Sequence, residues 1–438
     1  MSEAIDTLPF QTPEQEQAQK GANTPDPYDM ALEDINPLNA HLFSNNRWRE
    51  VFERLRKEDP VHFNELETSG RYWSLTKYQD IKAVDADWQR FSSAHGITLG
   101  LRPDSGPPMS AVPGSKPSFI SQDPPGHDDQ RRTVTGVVAP KNLVKLEPLI
   151  RERTCQVLDS LPEGETFDWV DTVSVELTTL MLATLFDFPL EDRAKLTRWS
   201  DITFAIPEPG GIVETLEQKR EEFIECVQYF SRLWEARRQN PGDDLVSMLV
   251  HGAATKDMEP IEHLGNLLLL IVGGNDTTRN SMSGSVYGLN QFPAQYDKLI
   301  ANPSLIPNMV PEIIRWQTPL SHMARVATED VEIQGQQIRA GDRVVMWYVS
   351  GNRDERAIRD PDAFIIDRAR PRQHLSFGFG IHRCMGNRLA EMQLRILWEE
   401  ILARFDFVEV VGAPERTFST LIKGYTELPV RLHPKNTS

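Results

Sequence analysis

Near the end of the chain, His374-Leu-Ser-Phe377-Gly378-Phe-Gly380-Ile-His382-Arg-Cys384-Met-Gly386-Asn-Arg388 runs straight into a segment with helical apolar spacing. Cys384 is the residue with chemistry to offer. Glycines at 378, 380 and 386 let the backbone turn tightly and lie flat against a large planar group. Amides freed by such a turn, with the N-terminal dipole of the following helix, stabilise an anion at the sulfur. A thiolate held there is a strong ligand for a metal such as iron. Two other stretches carry reactive types. Gly273-Gly274-Asn275-Asp276-Thr277-Thr278 follows the aliphatic run Leu267 to Val272, and its two glycines cost about 1 kcal/mol each in a helix relative to alanine. The acid and alcohol behind them are the types that relay protons. In Asp123-Pro-Pro125-Gly-His127-Asp-Asp-Gln-Arg131-Arg132, His127 and Arg131 stand four apart and so share one helical face. They form a donor pair suited to a carboxylate.

Phe377-x-x-Gly380-x-His382-x-Cys384-x-Gly386 resembles the haem-binding loop of the haem-thiolate monooxygenases, the cytochrome P450 superfamily. The Gly-Gly-x-Asp-Thr stretch resembles that family's distal motif, and Asp-Pro-Pro-x-His-x-x-x-Arg its propionate-binding pattern. Glu312-Ile-Ile-Arg315, with Arg368, is similar to its structural Glu/Arg/Arg network. The likeness runs in family order from about residue 46 onward. It implies a mainly α fold with a small antiparallel β lobe, the cytochrome P450 fold, holding haem b (iron protoporphyrin IX) between the helix of Thr277 and the loop of Cys384. Residues 1–45 would be an N-terminal arm, partly ordered, and residues 46–438 a single haem-thiolate monooxygenase domain.

The resemblance also assigns expected roles. Cys384 is the metal ligand, and Asp276 and Thr277 are the catalytic pair. Cofactor contacts are His127, Arg131, Gly273, Gly274, Arg325, His374, Phe377, Gly378, His382 and Gly386. Substrate contacts are Ile97, Leu99 and Leu101 from the Pro/Gly-rich stretch after Ser92, Phe204 with Ile206 and Ile212 around the next Pro/Gly break, Leu320, Met323 and Ala324 after Thr318, and Leu421 and Ile422 near the end.

Several elements must position these residues. Trp48, Val51, Phe52 and Leu55 predict a helix that Pro60 stops; Val61–Phe63 and Arg71–Leu75 read as a hairpin, and Thr76 as the cap of a second helix through Ala83. A helix starts after Pro125. Ile261 to Val272 is apolar nearly all round, the pattern of a helix through the core. Val331–Ile333 and Val344–Trp347, separated by Gly335 and Gly341, predict strands of a small antiparallel sheet. Leu389, Met392, Ile396 and Leu397 mark a core-facing helix.

Composition narrows the function classes. The 438 residues carry 64 acidic and 47 basic side chains, for a net charge of −17, which argues against a nucleic-acid partner. Three scattered cysteines make no disulfide framework. No apolar run is long enough to span a membrane, and the first ten residues have no signal-peptide pattern, so a cytoplasmic protein is expected, and separately a monomer. The chain has no cysteine set for an iron–sulfur cluster and no Gly-x-Gly-x-x-Gly loop, so electrons must come from a separate redox partner, and the resemblance implies a [2Fe-2S] ferredoxin with an NAD(P)H-dependent ferredoxin reductase. Arg131, Arg132, Arg383, Arg388 and Arg395 are the candidate patch for such an acidic partner. Together with O2, the expected substrate is an apolar alkyl chain. The stretches Gly273–Met282 and Ser321–Arg325 resemble the soluble bacterial subfamily that hydroxylates medium-chain alkanes and fatty acids at the terminal carbon. Alternatives are a terpene hydroxylase, a peroxide-driven peroxygenase, or a non-catalytic haem sensor; the intact Asp276-Thr277 pair favours O2 activation.

Overall fold

The computed structural model describes residues 25–66, 69–99, 116–205, 207 and 210–435. Residues 1–24 of the expected arm, Leu101 and Ile206 lie outside the described residues, as does the side chain of Phe204. From residue 25 the chain already packs against the body, with Ile35, Leu42 and Phe43 buried beside Trp48 and Trp347.

Trp48, Val51, Phe52 and Leu55 are buried along one face of helix α1, Trp48–Glu58. The chain then turns into strands β1, Val61–Leu66, and β2, Gly70–Leu75, an antiparallel hairpin. Helix α2, Tyr78–Ala86, follows, but Thr76 does not cap it. Its hydroxyl donates instead to the Pro60 carbonyl, and Asp354 accepts from the Tyr78 amide at 2.9 Å. A distant carboxylate therefore does the work assigned to the local alcohol.

The hairpin belongs to a five-stranded sheet completed by β3, Phe91–Ser92, β4, Met323–Ala327, and β5, Arg343–Met346, in the order β1-β2-β5-β4-β3. β2 and β5 run parallel, so the sheet is mixed. Val344 to Met346 thus joins this sheet, while Val331–Ile333 pairs with Gln336–Ile338 in a separate hairpin across Gly335. Spacing alone did not reveal a partner strand some 270 residues upstream.

Helices make the rest of the body: α3 (Gly126–Thr135), α4 (Glu176–Phe186), α5 (Ala194–Phe204), α6 (Leu264–Gln291), α7 (Ile306–Gln317) and α8 (Asn387–Arg404) carry the site. α6 is the axis. Apolar and small residues all round let it run 28 residues through the core, in contact with α4, α5 and α7. It is launched by a capping box in which Glu259 and Glu262 satisfy each other's backbone amides. Among the described residues, no helix is long and apolar enough to cross a membrane.

Candidate functional site

The loop before α8 is closed by the Cys384 amide donating to the Phe377 carbonyl at 2.7 Å. Gly378 and Gly380 take φ of +65° and +67°. A Cβ on Gly380 would stand 2.5 Å from the Asp85 carbonyl oxygen and 2.9 Å from the Ala86 Cα, so only glycine lets the loop press onto the end of α2. α8 then begins at Asn387 without a side-chain cap, which leaves its positive end beside Cys384. Burial pushes the Cys384 thiol up; the Gly386 and Asn387 amides and the Arg131 and Arg383 guanidinium groups pull it down. These are the anion-stabilising groups expected of the loop.

Cys384 opens onto a chamber of about 460 Å³. Phe377, Gly378, His382 and Gly386 share its wall. α6 crosses opposite, and its helical spacing puts Gly273, Gly274, Thr277, Thr278 and Ser281 on the chamber. The two glycines serve different ends. A Cβ on Gly273 would meet nothing within 4 Å, whereas one on Gly274 would stand 2.7 Å from Leu182 Cδ2 of α4. The Thr277 hydroxyl, on the chamber, donates back to the Gly273 carbonyl at 3.1 Å.

Asp276 faces the other way and is buried. Its carboxylate accepts from the Ser200 hydroxyl at 3.0 Å and is ion-paired to Arg279, which also reaches Asp201 at 3.2 Å. Burial raises the Asp276 carboxyl, chiefly against the pull of Arg279. The expected catalytic pair is therefore split: the alcohol is on the chamber, and the acid is on a chain of polar groups that ends at part-exposed Asp201.

Anion donors gather at one side. Arg131 and Arg325 line the chamber, and Arg325 is anchored by Asp85 at 2.8 Å. His127 is buried with Nδ1 on Asp128 at 2.8 Å and Nε2 unpartnered; its ring lies 4.5 Å from that of His382, whose Nε2 meets Ser93 Oγ at 2.9 Å and whose Nδ1 is also unpartnered. His374 does not reach the chamber. It is buried behind Phe377, ring to ring at 5.3 Å, and burial lowers it to about 3.

Of the expected substrate contacts, Ile97, Leu320, Met323, Leu421 and Ile422 line the chamber. Ala324 does not, because successive residues of a strand point to opposite faces. Met323 and Arg325 of β4 face the chamber, while Ala324 is buried on the far side with Phe52 and Trp347, and Leu99 packs against that same cluster. Ile212 is exposed. Met181, Leu182 and Leu185 of α4, with Leu245, Leu268 and Leu269, form an aliphatic wall that the sequence reading left out. The all-round apolarity of α4 was the available signal. Asp85 and Tyr348 were missed too, and nothing in their neighbourhood distinguishes them.

Behind the loop, Glu312 is bidentate to Arg315, at 2.7 and 2.9 Å, and to Arg368, at 2.9 and 3.1 Å. Burial would raise Glu312, yet the two guanidinium groups outweigh it and hold the carboxyl below its ordinary value. The proposed basic patch is smaller than expected. Arg132 pairs with Asp129, Arg395 with Glu147 and Glu399, and Arg131 turns inward, which leaves Arg383 and Arg388 exposed.

The donors fit one kind of guest. A glycine at 386 whose Cβ would meet nothing within 4 Å, a facing helix with open space at Gly273, a single sulfur ligand and orphaned imidazole nitrogens among arginines suit a flat, dianionic macrocycle with an axial thiolate.

The family model for cytochrome P450 matches residues 296–426. Linalool 8-monooxygenase of Pseudomonas putida is 36% identical over 91% of this chain and 98% of its own length. A methyl-branched lipid omega-hydroxylase of Mycobacterium bovis is 31% identical over 87% and 90%. The solved structure of CYP153D17 from a Sphingomonas species superposes with a TM-score of 0.84 at 46% identity, covering 92% of this chain and 100% of that one. Likeness of this extent, over nearly the whole of each relative, places the chain in the cytochrome P450 family, monooxygenases that bind haem b through a cysteine thiolate.

Proposed function

We propose that this monooxygenase inserts one oxygen atom of O2 into the terminal C–H bond of medium-chain alkanes or fatty acids. Supporting this is the aliphatic wall of Ile97, Met181, Leu182, Leu185, Leu245 and Leu268, which offers no side-chain hydrogen bond to a substrate. Such a surface holds an alkyl chain through desolvation alone, at roughly 0.8 kcal/mol per buried methylene. A terpene fits the same chemistry, and the relationship to a linalool 8-monooxygenase favours it as the second reading.

In this proposal Cys384 would hold the haem iron through its sulfur, and His127, Arg131, Arg325 and His382 would hold the propionates. Phe377, Gly378, Gly386 and the two glycines of α6 would line its site, with His374 backing Phe377. The haem, when bound, supplies reductive activation of dioxygen and the C–H insertion. Thr277 holds a donor proton at its hydroxyl, inside the chamber. Asp276 is the acid that would take up protons from the solvent side near Asp201, with Arg279 ion-paired to both carboxylates and Ser200 fixing the Asp276 carboxylate. The apolar wall excludes bulk water.

Cytochrome P450 monooxygenases need O2 and an external electron source. Here a [2Fe-2S] ferredoxin with its NAD(P)H-dependent reductase is proposed, docking at Arg383 and Arg388. Charge reversal at Arg388 is expected to lower ferredoxin-supported turnover at low salt and leave the haem spectrum unchanged; equal turnover removes this docking site.

The deciding experiment is product analysis with octane, dodecanoic acid and linalool, supplied with NADH, ferredoxin and reductase. Primary alcohols should dominate from octane, and the ω-alcohol from dodecanoate. A mixture dominated by subterminal alcohols, or turnover of linalool alone, would sink the proposal.

A further inference from the structure

Leu421 and Ile422 line the chamber, yet they sit on a turn whose backbone is fixed from outside it. On one side the Ser321 hydroxyl and His322 Nδ1 both meet the Thr420 carbonyl. The Ser321 amide donates to the Leu421 carbonyl at 2.8 Å, and the Lys423 amide to the Pro319 carbonyl at 2.8 Å. On the other side the turn rests on α7 and α6. The Gln317 side chain of α7 donates to the Lys423 carbonyl at 2.9 Å and accepts from the Tyr425 hydroxyl at 3.2 Å.

Asn280 makes the contact with α6. It is 1% exposed; its Oδ1 accepts from the Tyr425 amide at 3.0 Å, and its Nδ2 donates to the Asp276 carbonyl at 2.8 Å. A backbone donor at one end and a backbone acceptor at the other admit one orientation of this amide. Gly424 lies flat on it. A Cβ there would overlap Oδ1 and Cγ and stand 2.5 Å from Nδ2, although the Gly424 backbone is outside the left-handed region. What requires glycine is therefore the neighbour and not the turn. One turn along α6 the arrangement repeats, since a Cβ on Gly284 would overlap the Gln317 amide.

The span from the Asp276 carbonyl to the Tyr425 amide is thus one side chain long, and it starts from the turn of α6 that carries Thr277. A buried amide bonded at both ends is held stiffly, because losing either bond strands a desolvated group. We propose that Asn280 and Gly424 are specificity-determining positions: together they are a spacer that sets how far the Leu421–Ile422 wall stands from the Thr277 turn, and so the length and girth of the alkyl chain the chamber accepts. Neither residue lines the chamber, so the pair acts by placing the wall and not by touching the guest. It acts alike on an alkane, a fatty acid or a terpene and does not depend on terminal attack.

The test uses holoenzyme and N-alkylimidazoles with tails from butyl to decyl. The free ring nitrogen takes the haem iron, the tail fills the chamber, and the Soret shift gives a dissociation constant for each length. Because the azole binds iron whatever the natural substrate, the result is separate from the turnover of octane, dodecanoate or linalool. Gly424→Ala, which forces the turn off α6, should change the ratio of the decyl to the butyl constant by about fourfold or more, the effect of one methylene gained or lost from burial. Asn280→Ser, which removes the obstructing amide, should shift the ratio in the opposite sense. The double variant gives the new methyl the space the amide held and should return the ratio to that of the parent. A role confined to stability would weaken every length alike and leave the ratio fixed. An unchanged ratio in either single variant, or a double variant that keeps the Gly424→Ala ratio, would overturn the proposal. Should Gly424→Ala take up no haem, the double variant must regain it with the parental ratio, and a double variant that stays empty overturns the proposal as well.

Discussion

Asp85 accepts a hydrogen bond from the Arg325 guanidinium at 2.8 Å, with both side chains buried at the chamber wall. The same carboxylate accepts from the Tyr348 hydroxyl at 2.9 Å and from the Phe379 amide at 2.8 Å, so it joins α2, β4 and the cysteine loop. Burial raises the Asp85 carboxyl, and Arg325 is the chief force against it. Asp85→Ala strands a buried cation and is expected to cost on the order of 3 to 5 kcal/mol in urea unfolding. Asp85→Asn, which keeps the shape and two acceptor sites, should cost less and still release haem faster.

Cys384→Ser is expected to remove the strongly red-shifted Soret band of the reduced, carbon-monoxide-bound protein. The overall fold, followed by circular dichroism, should survive, because the Cys384 contact that closes the loop is made by its amide. An unaffected band would remove the metal assignment and the cofactor contacts argued from it.

Thr277→Ala and Asp276→Asn should lower product formed per NADH by tenfold or more, within the range by which positioned proton donors accelerate reactions. Hydrogen peroxide release should rise in step. The two variants should differ in solvent isotope effect, since Thr277 is on the chamber whereas the Asp276 carboxylate meets Ser200 and the ion pairs through Arg279 to Asp201.

Glu312→Gln leaves Arg315, fully buried, and Arg368 without their shared counter-ion. A loss of about 3 to 5 kcal/mol is expected. Because the folded carboxyl sits below its ordinary value, its contribution is present above about pH 4.3 and fades as pH falls through the folded value. The variant should therefore differ most from the parent near neutrality.

His322 is 1% exposed against Trp347, with Nδ1 on the Thr420 carbonyl at 3.1 Å, and burial lowers it to about 4. An unfolded histidine protonates near 6.5. Its neutral burial thus stabilises the fold above pH 6.5, and that contribution drains away as pH falls towards 4, by on the order of 3 kcal/mol in all. Urea midpoints at pH 7 and pH 5 should separate less in His322→Gln than in the parent.

What was legible in the sequence was whatever a local pattern fixes. The face of α1, the glycine loop around Cys384 and the all-round apolar α6 follow from spacing and residue type within a dozen positions. What escaped depended on distant neighbours. Whether Met323 or Ala324 meets the chamber turns on which face of β4 is covered by α1, and no count of residues supplies that. Asp354 displaces Thr76 as the partner of α2 from nearly three hundred residues away, and Glu147 and Glu399 neutralise an arginine that reads as a docking cation. Asp85 is one acid among many until the loop of Gly378 and Gly380 is laid upon it.

Adjacent glycines of α6 divide two duties between them. At 274 a methyl would have to displace Leu182 and push α4 away, so that position sets how closely the two helices approach. At 273 the same methyl would enter open space. A methyl at residue 273 therefore narrows the chamber over the cysteine loop, while the packing of α6 on α4 is set one position later, so neighbouring positions of one helix tune the guest space and the scaffold separately.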